Sequence, residues 1–272
     1  MSARPLVLRQ MLRDRRRSTL WWSVAVAVMS VTFAAAYPSV HDSAAELDSY
    51  MDSLPEGLVE LFGAAGGIGS PAGYLSSQLY ANVLPLLLVV LGIGAAAWSI
   101  AGAEGDGTLE MLLANPVGRL RVALERLAGV FVVTFVVTTV TTVALALTAP
   151  LFDLDTLPGD ALWAAGVAVW ALALCFAGIS FGAGAATGVR GTAIAAGSAF
   201  AAGTYVLYGL AGLVASLSDL RWLSPWFWFL DADALTTGFS TRLWLQAVLL
   251  PLIVAAVVAT GGLTLLQRRD LR

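Results

Sequence analysis

Long stretches of this chain carry no charged residue, and they alternate with short charged ones. The uncharged blocks run Ser18–Val40, Leu61–Ala103, Leu127–Phe152, Ala161–Val189, Gly191–Ser218 and Leu243–Gln267. A bilayer core of about 30 Å needs about 20 apolar residues at 1.5 Å rise each, so every block is long enough for one crossing helix. The second block opens with Gly63, Gly66, Gly67, Gly69 and Pro71, which sets the expected start of its helix near Leu79. The pattern predicts an all-α membrane protein, one domain over residues 1–272. Its six spans fall near 19–37, 79–101, 127–149, 161–185, 192–215 and 243–266, with a loop at 39–78.

Composition agrees. Hydrophobic residues make up 58% and charged residues 12% of the 272, against about 25% charged in a soluble domain. Mean hydropathy is +0.82. The chain has no lysine, which excludes a Walker A nucleotide loop and any Schiff-base chemistry of its own. One cysteine, Cys175, cannot form an internal disulfide, and one histidine, His41, cannot build a His-rich metal site.

Arginine sets the expected orientation. Arg4, Arg9, Arg13, Arg15, Arg16 and Arg17 precede the first span, and Arg119, Arg121 and Arg126 follow the second. Arg190 separates the fourth and fifth, and Arg268, Arg269 and Arg272 follow the sixth. These are alternate loops on one side, and the other side holds only Arg221 and Arg242. Positive loops stay inside, so both termini are expected to be cytoplasmic. Arg16-Arg17 and Ala34-Ala35-Ala36 give the N-terminus some likeness to a signal peptide, but five further spans follow it. Residues 1–17 read as an amphipathic helix along the inner leaflet, with Leu8, Met11 and Leu12 on one face and Arg9, Arg13 and Arg16 on another.

Enzyme chemistry finds little support. Gly178-Ile179-Ser180-Phe181-Gly182 fits G-x-S-x-G, but it falls inside a span, away from the only histidine. Packing explains it better: Gly178, Gly182, Gly184 and Gly188 supply small-residue pairs that admit another helix. The predicted spans hold no charged side chain, which argues against a self-sufficient ion-driven transporter. The aromatic run Trp222, Trp226, Phe227, Trp228 and Phe229 reads as an interfacial belt in preference to a substrate contact. A segment dipping into the bilayer is a variant of that reading.

The informative segment follows the second span. Thr108 is an expected N-cap and Glu110 suits the first turn of a helix over 108–114. Leu109, Leu112 and Leu113 then share one apolar face, and Pro116 ends the element. Glu104, Gly107-Thr108-Leu109-Glu110, Leu112-Leu113-Ala114 and Pro116-Val117-x-Arg119 together resemble the loop of type-2 permease subunits of ATP-binding cassette (ABC) exporters. Leu223-Ser224-Pro225 with Asp231, Leu235 and Gly238, and the ending Gln267-Arg268-Arg269-Asp270-Leu271, are similar to that family as well, whereas Arg126 stands where many members carry Gly-Lys.

The resemblance implies a six-helix half-channel in the cytoplasmic membrane that pairs with a second permease and with separate ATPase subunits. Those ATPases would bind ATP and magnesium, leaving this chain without a cofactor, metal or nucleic-acid partner. Glu104, Gly107, Thr108, Leu109, Glu110, Leu112, Leu113, Pro116 and Arg119 would form the coupling surface. Charge-free spans favour an apolar or amphipathic cargo such as a drug, antibiotic or lipid. The alternative is a membrane scaffold or assembly protein that transports nothing.

Overall fold

The computed structural model describes residues 6–41, 69–108 and 118–268, and among these it is helical with no strand. Six helices are long and apolar enough to cross a membrane: Val7–His41, Pro71–Gly105, Arg119–Leu151, Ala161–Thr187, Arg190–Leu213 and Leu243–Arg268.

The fourth span is the hub. It packs against the second, third, fifth and sixth, and 78% of its most apolar window is buried, against 28% for the first, fifth and sixth. Glycine and alanine make this possible. A Cβ on Gly178 would lie 2.6 Å from Ala255 Cα, and one on Gly182 would lie 2.5 Å from Val258 O. In lipid, helices gain no hydrophobic free energy by meeting, so such close contact is what holds them. A Cβ on Gly184 would lie 3.2 Å from Ala193 Cβ and 3.4 Å from Ala101 Cβ, a tight but less severe fit. Gly188 does a different job from the packing expected of it. It ends the helix at φ +72°, donating its N–H to Gly184 O at 2.8 Å, a conformation that costs glycine nothing sterically.

Two spans are not regular α-helices. Residues Ser76–Val83 and Leu243–Leu249 form wider π turns, where Leu84 N–H reaches back to Leu79 O and Leu250 N–H to Leu245 O. Each run is followed within two residues by proline, Pro85 or Pro251. Proline lacks an N–H and its ring crowds the carbonyl four residues earlier, and a widened turn relieves both problems.

Three expectations change. The second span begins at Pro71 rather than Leu79, because Ser70 Oγ accepts Gly73 N–H at 3.1 Å and Pro71 opens the helix. The segment 6–17 is no separate helix. Leu6–Ala35 is continuous, and the Val7 and Met11 side chains are buried in a small core with Val122, Ala123 and Val130. The aromatic run is not a belt. Trp226, Phe227 and Phe229 are buried, Trp228 is half-buried, and only Trp222 of the five is exposed. Trp226 Nε1 donates to Ala201 O at 3.0 Å, and Ser224 Oγ to Thr204 O at 2.8 Å. Ala201 lies twelve residues before Leu213, the end of the fifth span, so the Trp226 indole reaches about 18 Å along that helix from its end. The arrangement is closer to the dipping variant of the reading than to a belt.

Candidate functional site

At the arginine-rich end, the start of the first span, the end of the second and the start of the third converge on a third π turn, Trp98–Gly102. Ala103 N–H bonds to Ile100 O instead of to Ser99 O, its partner in a regular α-helix. The Ser99 carbonyl accepts from Arg126 Nη1. Arg126 is 6% exposed and its Nε has no hydrogen-bond partner. In the sequence Arg126 counts only among the arginines that set the orientation and as a departure from Gly-Lys. The structure makes it a buried link between the second and third spans.

Two further contacts gather here. Glu125 Oε2 accepts Val7 N–H at 3.0 Å and Leu8 N–H at 3.1 Å, capping the first helix from the third span, while its Oε1 accepts from Arg121 Nε at 3.0 Å. An anionic oxygen at a helix N-terminus satisfies orphan N–H groups and opposes the positive end of the dipole. The Arg15 guanidinium lies 4.8 Å from the centre of the Trp98 ring, a cation–π contact on the same turn.

The loop leaving this cluster holds the first coupling residues. Glu104 is half-buried in the last turn, Ala103–Gly105, and Gly107 takes φ +70° with open space where a side chain would be. The Thr108 hydroxyl donates to Ala103 O at 3.0 Å, so it closes the preceding turn. Arg119 is exposed and opens the third helix. Leu109, Glu110, Leu112, Leu113 and Pro116, and with them the helix expected at 108–114, lie outside the described residues.

Hydrolase chemistry has no geometric basis. Ser180 is fully buried, donating to Ile93 O at 3.2 Å, while His41 stands at the far end of the bundle beside Tyr37 and Gly69. Among the described residues no group of three or more His, Cys, Asp or Glu could hold a metal ion.

The site is thus a tied shoulder between the second and third spans of a six-span bundle packed around a glycine-rich hub. The chain matches the profile of the ABC-2 family transporter proteins over residues 6–271 and belongs to that family. It is therefore a multi-pass membrane permease of an ABC transporter, a family that implies a separate ATP-binding subunit. No curated protein matches it in sequence.

Proposed function

We propose that the chain is the permease subunit of an exporter that moves an apolar or amphipathic substrate out across the cytoplasmic membrane. ATP hydrolysis by a separate subunit drives it, and a second permease completes the pathway. The arginine-rich end is cytoplasmic, on the charge asymmetry of the loops. The ATPase docks on the segment from Glu104 to Arg119, through Leu109, Leu112 and Leu113 with Glu110 and the flanking charges around them.

The observation that carries this reading is the tie beneath that segment. Arg126 and Glu125 join three spans at the point where the loop leaves the bundle. A push on the loop therefore reaches the first, second and third spans together. A scaffold that transports nothing has no need of that arrangement.

Leu112→Asp tests it. A lone charge placed in a docking interface typically costs several kcal/mol. The variant should insert normally, since Leu112 lies outside the spans, yet lose both ATPase co-purification and export. Glu104→Ala should act more locally, by loosening the loop. Undiminished export by Leu112→Asp at wild-type expression would overturn the docking surface and favour a scaffold.

A further inference from the structure

At the end of the bundle away from the arginine-rich loops, a cavity of about 360 Å³ opens between the second, fourth and fifth spans and the segment 229–236. Its volume lies in the range of small-molecule sites. Two of the three π turns adjoin it: Ser76 and Tyr80 belong to Ser76–Val83, and Arg242 immediately precedes Leu243–Leu249. Such turns in helices frequently mark functional positions.

The rim carries Asp231, Asp233 and Arg242. Arg242 is already committed. Its Nη2 donates to Asp231 Oδ2 and its Nε to Gln246 Oε1 at 3.3 Å, while Gln246 Nε2 donates to the same Asp231 oxygen at 2.9 Å. Asp233 sits in the left-handed region at φ +45°, and its Oδ2 accepts from the neighbouring Thr236 hydroxyl. Among the described residues, two carboxylates against one guanidinium leave the rim with an excess negative charge.

Three aromatic residues, Tyr80, Tyr208 and Phe229, line the cavity among small and aliphatic neighbours such as Ala165 and Leu235. The Tyr80 hydroxyl is buried and has no hydrogen-bond partner, a rare condition for a buried polar group.

We propose that this cavity binds a monovalent organic cation with a compact apolar body. The positive centre sits at the Asp233 rim, and the body lies against the three rings, whose faces attract cations. An inorganic anion meets the wrong charge here. A metal ion would need a cluster of oxygen ligands in place of the aromatic lining. As a station for exported cargo the site rests on the export reading above, whereas as a binding site it stands without it.

Tetraphenylphosphonium and tetraphenylborate have the same shape and opposite charge, and they make the test. With the permease alone in nanodiscs, equilibrium dialysis should show saturable binding of the cation, at least tenfold tighter than that of the anion. Asp233→Asn should weaken it fivefold or more. Asp155→Asn, an exposed carboxylate outside the cavity, should leave it unchanged. Unsaturable uptake of both ions, or equal losses in the two variants, would overturn the site. In inside-out vesicles that also hold the ATPase, ATP-driven uptake of the cation, lost in Asp233→Asn, marks it as cargo. No uptake with binding intact marks a solute from the aqueous phase, and counts against the export reading alone.

Discussion

Arg126 of the third span donates to the carbonyl of Ser99 in the second, and that bond lands on the widened turn from which the loop at 103–108 departs. A hydrogen bond to a charged group contributes about 1.5–3 kcal/mol. Here it sets where the loop stands relative to the third span.

Arg126→Leu should therefore loosen the arginine-rich end without unfolding the bundle. Amide exchange over Trp98–Gly102 should accelerate at least tenfold, the rate equivalent of about 1.4 kcal/mol. Exchange around Trp226, at the other end, should not change. Unaltered protection at Trp98–Gly102 would show that the bond carries no local stability.

Glu125→Ala leaves Val7 and Leu8 N–H without their acceptor. Loss of a helix cap costs about 1 kcal/mol, and the first turns of Leu6–Ala35 should fray. Trypsin should then cut at Arg9 and Arg13 faster than in the parent protein. An identical digestion profile would count against the cap.

The hub tolerates no added atoms where the sixth span touches it. Gly182→Ala sets a methyl group 2.5 Å from a backbone oxygen, Val258 O, and overpacking of this kind costs about 1–3 kcal/mol. Gly94→Ala meets nothing within 4 Å and should be neutral or gain up to about 1 kcal/mol from helix propensity. Thermal unfolding in one detergent should rank Gly94→Ala at or above the parent and Gly182→Ala below it.

The depth of the aromatic segment is open to optical test. Subtracting the emission of Trp226→Phe from that of the parent isolates Trp226, which iodide should fail to quench. The same subtraction with Trp222→Phe isolates a residue 51% exposed, which iodide should reach. Trp226→Phe also leaves Ala201 O without its indole donor and should cost roughly 1 kcal/mol of stability.

Much of the bundle was legible because a bilayer demands long apolar helices. The blocks starting at Ala161 and Leu243 gave their spans to within two residues. The errors came where neighbours decide the outcome. Glycines before Pro71 looked like linker, although Ser70-Pro71 carries a capping signal. Arg9, Arg13 and Arg16 suggested a surface helix, whereas Val7 and Met11 pack on the third span. The two outer π turns had a sequence trace in Pro85 and Pro251. The burial of Arg126 had none, since it depends on a carbonyl 27 residues away. The core of the coupling segment, Leu109 to Pro116, was drawn from sequence alone and lies outside the described residues.

The burial of the fourth helix has a hydraulic consequence. Glycine and alanine bring its neighbours in so closely that little of the fourth helix is left for water or a solute to wet. The bare faces are those of the first, fifth and sixth helices. It is along those flanks that lipid or another polypeptide has room to lie.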